Sequence, residues 1–267
     1  FIRPEVFFND KKGLLGVISK LSNKTAYRAE RKTSRNEDIY NPFVTPIDDS
    51  TLVSVGSTIS NTFYINRLGT KFGTDLFYQT NKSKSLLTNG VESRSSENRE
   101  IRSRYNATNS ITFNSIVAWN NKSNTSELFP ARNFNIESLE LEPRISYQPG
   151  VAFRLSLLGS YTDKNNRLGE ERAFTRSVGT EMQYSKAGKG TFTIDIRFIS
   201  IDFNSGSNSA LSFEMLEGLQ AGGNTTWSLN LQRNLSKVLQ LSVNYSGRKS
   251  ENINTIHTGG MQLRAFF

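Results

Sequence analysis

The stretch "KVLQLSVNYSGRK", residues Lys237–Lys249, decides the fold. Leu239, Leu241, Val243 and Tyr245 fall on one face, and Gln240, Ser242, Asn244 and Ser246 on the other. Successive side chains of a β-strand point to opposite faces, so this pattern is that of a strand with one apolar and one polar side. The pattern recurs in "VAFRLSLLGSYTD", where Val151, Phe153, Leu155, Leu157 and Tyr161 oppose Arg154, Ser156, Ser160 and Thr162. In "TFTIDIRFISIDF", Phe192, Ile194, Ile196 and Phe198 oppose Thr193, Asp195 and Arg197. The phase then slips, with Ile199, Ile201 and Phe203 apolar, which predicts a β-bulge near Phe198–Ile199.

Period two predicts strands at 14–33, 51–66, 70–82, 92–106, 111–124, 132–148, 151–164, 171–186, 190–204, 223–234, 236–248 and 255–267, with no comparable helical stripe. Strand 92–106 has the weakest signal, because "ESRSSENREIRSR" is polar on both faces. Connections alternate in length. "RLGT", "NATNS", "QPG", "KAGKG" and "NLSK" are tight, whereas 34–50, 83–91, 125–131, 165–170, 205–222 and 249–254 are long and polar. An up-and-down meander with all short turns at one end and all long loops at the other is the arrangement of a transmembrane β-barrel.

Aromatics gather near both strand ends. Phe63, Phe72, Tyr105, Phe113, Tyr147, Phe153, Tyr184, Phe192 and Phe267 lie toward the tight turns; Tyr78, Trp119, Phe134, Tyr161, Phe174, Phe203, Trp227 and Tyr245 lie toward the long loops. Ten residues separate Phe174 from Tyr184. At ~3.3 Å per residue and a tilt of about 40° this is ~25 Å of height, the thickness of an outer-membrane apolar band between aromatic girdles. A soluble sandwich or lipocalin-like barrel would show the same alternation with the apolar face turned inward. The charges on the polar face (Glu140, Glu142, Arg144, Arg154, Asp195, Arg197) suit a wet lumen better than a soluble exterior alone. The expected fold is therefore an all-β, antiparallel up-and-down transmembrane β-barrel of about 12–14 strands, with 1–267 as one domain.

Composition adds limits. The 267 residues carry a net charge of +9, 36% apolar residues and no cysteine, so disulfides, thiolate catalysis and cysteine metal sites are excluded. No apolar run reaches the length of a membrane-spanning helix. "FIRPEVFFND" lacks the basic and apolar regions of a secretory signal, so the chain is expected to be mature protein or a piece of something longer. "FIRPEVFFNDKKGLLG" reads as half of a further strand with a tight turn at Asp10–Gly13. That strand and 255–267 would run in the same direction. Even, antiparallel closure then leaves two options: residues 1–9 lie outside the wall, or at least one more strand lies upstream of Phe1; the second is favoured, giving about fourteen strands of which this chain is the C-terminal portion. Phe1–Phe8 is expected to pair with 14–33.

The last residues, "MQLRAFF", resemble the C-terminal signal by which the barrel-assembly machinery recognises bacterial outer-membrane proteins. Met261, Leu263, Ala265 and Phe267 match its alternating apolar positions and terminal aromatic. The stretch from "EMLEGLQAGG" to the end resembles the C-terminal barrels of large, poorly characterised outer-membrane proteins of the Bacteroidota. The resemblance implies an outer-membrane location, long loops extracellular and C-terminus periplasmic, with the assembly machinery as a partner during insertion. It implies no chemistry.

Outer-membrane phospholipases resemble this chain in strand count, but they need a Ser–His pair. The sole histidine, His257, falls in the register of Met261 and Phe267, as an interfacial polar residue would. Omptin-type proteases place acids and a histidine at the barrel mouth; Asp48 and Asp49 lie in a loop without a matching motif. Glu37, Asp38, Asp48 and Asp49 are oxygen donors suited to calcium, but not at EF-hand spacing. No cofactor, metal, catalytic residue or nucleic-acid partner is expected. Lys82, Lys84, Arg94, Lys122, Lys164, Arg167, Arg248 and Lys249 cluster toward the long loops, where outer-leaflet lipopolysaccharide phosphates could pair with them. The expected function is a non-enzymatic barrel that anchors, or is a subunit of, a larger outer-membrane complex with other outer-membrane proteins or lipoproteins. A diffusion pore or uptake channel is the alternative, and an interfacial barrel enzyme the third.

Overall fold

The computed structural model describes residues 20–34, 52–67, 69–88, 90–206, 209–251 and 253–266. Twelve strands follow one another in space as in sequence: β1 (Leu21–Thr33), β2 (Leu52–Ile65), β3 (Phe72–Leu87), β4 (Gly90–Asn106), β5 (Ile111–Ser126), β6 (Phe134–Tyr147), β7 (Phe153–Asn166), β8 (Arg172–Lys186), β9 (Gly190–Phe203), β10 (Gly222–Asn234), β11 (Leu239–Ser250) and β12 (Ile256–Ala265). Every neighbouring pair is antiparallel, so the architecture is an up-and-down β-barrel wall.

The register sorts the two faces. One ladder runs Phe63, Leu76, Ile101, Val117, Leu141, Tyr161 across β2 to β7. Another runs Phe153, Tyr184, Phe192, Leu231, Val243, Met261 across β7 to β12. These side chains share the outward face. Met261 stands well exposed, as do Leu157, Val178 and Phe198 in other rows of the same face. A belt of exposed apolar side chains this wide belongs against lipid rather than water. The opposite face carries Arg102, Glu142, Arg144, Glu181 and Asp195, and is the lumen.

Four expectations need correction. No bulge occurs at Phe198–Ile199, because both neighbouring ladders run through it without a shift. The apolar residues change face instead: Ile199, Ile201 and Phe203 point into the lumen, beneath a short helix. Phe134 and Phe203 are thus not girdle aromatics but lumenal ones, packed on Ile136, Ala173 and Met215. That helix, α1 (Ala210–Leu216), sits in the 205–222 connection, where no helix was expected. Finally, 83–91 is not a long loop. β3 and β4 extend through it, paired as far as Leu87 opposite Gly90, and β4, the weakest prediction, is the longest strand at 17 residues. Its polarity reflects an extension beyond the apolar band, not a break in the sheet.

Among the described residues β1 pairs only with β2, and β12 only with β11. Every position of β12 is exposed, as is β1 from Lys24 to Lys32. Among the described residues no ladder joins β1 to β12. The expected strand at Phe1–Phe8 lies outside the described residues.

Candidate functional site

The lumen is shaped by α1. Ser209 caps it: its Oγ accepts from the Ser212 amide at 3.0 Å, while Ser212 Oγ accepts from the Ser209 amide at 2.8 Å. The helix stops at Glu217, which adopts a left-handed φ of 55°, followed by Gly218 at φ 75°. Seven residues are too few to hold a helix in water unaided, so tertiary packing must stabilise it. Met215 (1% exposed) sinks into the apolar seat formed by Ile136 and Ala173, flanked by Phe134, Phe203 and Leu211.

Cations on the wall fix the rest. Lys164 Nζ, nearly buried, donates to the Met215 carbonyl at 3.2 Å and to Glu217 Oε1 at 2.6 Å. Lys122 forms an ion pair with Glu214. Arg248 Nη1 donates to the Gly218 carbonyl at 3.2 Å. A buried ammonium is costly unless paired, so Lys164 ties the helix C-terminus to β7. Beside the helix a concave space of about 750 Å³ is bounded by Arg28, Glu30, Arg94, Lys122 and Glu214, with Thr58, Ser96 and Asn124 between them. Charges of both signs surround it, and α1 narrows it.

The outward face is different. His257 sits on the lipid side of β12. Its Nδ1 lies 2.8 Å from the Tyr245 hydroxyl, and the Trp227 ring is 5.9 Å away. Trp227 covers Gly247, where a Cβ would come within 2.3 Å of the indole. The neighbouring serines Ser228 and Ser246 pair with each other on the lumenal face, away from the imidazole. The surroundings are those of an upper aromatic girdle, which places a polar ring at the interface.

The predicted basic cluster divides between the faces. Arg94, Lys122, Lys164 and Arg248 are lumenal, and the last three hold α1, so contact with membrane lipid does not extend to them. Lys82, Lys84 and Lys249 point outward. Arg167, in the β7–β8 connection, donates to Glu137 at 2.6 Å; that bond raises its already high pKa. On the outward side two ladders cross β2 to β5, one polar throughout (Ser57, Lys82, Ser95, Ser123) and one that begins on an apolar residue (Val55, Lys84, Ser93, Thr125). Met261, Leu263 and Ala265 face outward on β12 with Arg264 turned to the lumen; Phe267 lies outside the described residues. Glu37, Asp38, Asp48 and Asp49 also lie outside them, and among the described residues no acidic or histidine cluster is arranged to hold a metal. The lumenal contacts of α1 escaped sequence reasoning. The signal that could have found them is the phase slip at Ile199, Ile201 and Phe203.

No protein-family model matches the chain, and no curated protein does. Solved structures do. The siderophore receptor PirA from Acinetobacter baumannii matches at a TM-score of 0.58 and 8% identity, over 92% of this chain and 41% of that one. This chain thus spans less than half the receptor's length. OmpT, an outer membrane protein of Vibrio cholerae, matches at 0.46 and 6% identity over 92% and 97%. The β domain of the Bordetella autotransporter BrkA matches at 0.39 and 7% over 92% and 98%. The fold is that of the bacterial outer-membrane β-barrels.

Proposed function

We propose that this chain is a non-enzymatic section of outer-membrane barrel wall that anchors a larger protein or complex. The carrying observation is that, among the described residues, β1 is laddered only to β2 and β12 only to β11, at the ends of a sheet with a continuous outward apolar belt. In hydrocarbon no water satisfies a free N–H or C=O, and each such group costs several kcal/mol. Both edges must therefore receive strands, either from this polypeptide outside the described segments or from another chain. A barrel of more than twelve strands follows, in the bacterial outer membrane, with the 205–222 connection extracellular and the tight turns periplasmic. The lumenal ion pairs and α1 make the wall's inner face rigid and partly filled, as suits an anchor.

The second reading is a diffusion pore. The polar concave space of about 750 Å³ beside α1 favours it. Extraction from native membranes in mild detergent separates the two. The anchor reading expects an assembly heavier than the 30.0 kDa of this chain, with other segments or subunits retained. A monodisperse 30.0 kDa species giving stepwise conductance in planar bilayers would replace it with the pore.

A further inference from the structure

Two neighbouring lumenal rows cross β1 to β5 with no large side chain in their middle. One places Thr58, Asn81 and Ser96 between Arg28 and Lys122. The next places Gly56 and Ser83 between Glu30 and Arg94, and continues to Asn124 and Phe134. Small polar residues flanked by long charged ones leave a trough, and this trough is the floor of the space of about 750 Å³ beside α1. A cavity of that size suits a small-molecule ligand. Neither an anchor nor a pore requires one.

The charges around the trough largely cancel. Arg28 pairs with Glu30, Arg94 with Glu92 at 2.7 Å, and Lys122 with Glu214 of α1. Lys82 also borders the space, but its side chain belongs to the outward face. Arg132 is different. It ends the short 3₁₀ turn Pro130–Arg132, and its guanidinium lies 4.8 Å from the centre of the Phe129 ring, with no carboxylate partner among the described residues. Beside it is a second unmet group. Asn124 is 6% exposed and donates from Nδ2 to the Arg132 carbonyl at 3.0 Å, whereas its Oδ1 is buried and accepts no hydrogen bond among the described residues. A buried acceptor without a donor is costly, and a ligand hydroxyl can satisfy it. The lining thus offers hydroxyls and carboxamides, an orphan acceptor, a guanidinium without an acid, and the Phe134 ring. A sugar that carries a carboxylate has a counterpart for each: hydroxyls that donate and accept, an anion for the guanidinium, and an apolar C–H face for the aromatic ring.

We propose that the trough binds a short acidic saccharide of the uronic-acid class, its carboxylate on Arg132 and its hydroxyls on Thr58, Asn81, Ser96 and Asn124. The test is calorimetric titration of the full-length protein, purified from native outer membranes, with a panel of short uronate-containing oligosaccharides and their methyl esters. At least one acid should bind saturably, and its ester about tenfold more weakly or worse, the loss expected on removing one charge-assisted contact. Arg132→Gln should bind the acid as the unaltered protein binds the ester. Gly56→Phe should abolish binding of both. Gly56 faces the trough, and a Cβ there meets nothing nearer than the Lys82 carbonyl oxygen at 4.0 Å, so the added ring fills the space without displacing the sheet. Arg154→Gln removes a lumenal cation at the tight-turn end and should change nothing. Unaltered heat-dependent gel mobility shows that each variant is folded. No saturable binding across the panel, or undiminished binding by Gly56→Phe, overturns the site. Equal affinity for acid and ester, or a loss in Arg154→Gln as large as in Arg132→Gln, overturns the assignment of the carboxylate to Arg132. Displacement by inorganic phosphate as effective as by the unlabelled acid overturns the saccharide class.

Discussion

Truncating Met215 to alanine should release α1 from the wall without unfolding the wall. Met215 is 1% exposed and fills a seat made by Ile136 and Ala173. Removing a buried methionine side chain costs ~2–5 kcal/mol where the cavity cannot collapse. At 1.4 kcal/mol per decade, that shifts the docking equilibrium roughly thirty-fold to several thousand-fold. Lys164 would still reach the Met215 carbonyl and Glu217, so the lower part of the range is expected. Once unseated, a seven-residue helix has no stability of its own, and docking and helicity are lost together. Hydrogen exchange on protein in lipid nanodiscs reads this directly. Amides such as Phe213, which donates to Ser209, and Gly218, which donates to Phe213, should exchange at least thirty-fold faster. Peptides from β5 and β10 should not change. Unchanged exchange in α1 would refute the seat as its anchor, and parallel loss of protection in β5 and β10 would show that Met215 supports the wall instead.

Other outcomes are checked more simply. The folded protein should migrate differently from the boiled protein on a denaturing gel, because a sheet satisfied within the membrane resists detergent; a soluble protein with no mobility shift would contradict the membrane reading. Deleting Phe267 should reduce surface levels far more than Arg264→Gln, since Arg264 faces the lumen; equal levels, read by surface labelling, would separate insertion from this register. Gly247→Ala should lower the unfolding midpoint by the equivalent of ~1–3 kcal/mol, because a Cβ there meets the Trp227 indole. Adding Trp227→Ala should remove most of that penalty, and a purely additive double variant in urea titration would discount the contact.

Much of the wall was legible in the sequence because a lipid-facing strand obeys a strict period of two. The order of twelve strands and the outward direction of Phe63, Tyr105, Trp119, Tyr184 and Tyr245 follow from that alternation. The misreadings have a common cause: alternation marks which face is apolar, not what the apolar face touches. Ile199, Ile201 and Phe203 looked like a shifted register because the lumen was assumed polar throughout, whereas α1 supplies an apolar neighbour inside it. Residues 83–91 looked like loop because Ser83, Lys84 and Ser85 interrupt the apolar alternation, while the ladder runs on to Leu87 opposite Gly90. The division of the basic cluster could not be read from proximity to the long loops. Lys82 and Lys249 differ from Lys122 and Lys164 only in parity along the strand, and parity gained meaning once the cross-strand register was known.

The central claim is that β1 and β12 accept strands other than each other. The chain contains no cysteine, so introduced pairs report without background. Val243→Cys with Met261→Cys, directly opposed in β11 and β12, is the positive control and should form a disulfide in native membranes. Thr25→Cys or Tyr27→Cys on β1, each combined with Gly259→Cys, Met261→Cys or Leu263→Cys on β12, should give no intramolecular disulfide under the same oxidation. Efficient β1–β12 cross-linking at any of these registers would show a closed twelve-stranded barrel and contradict the account.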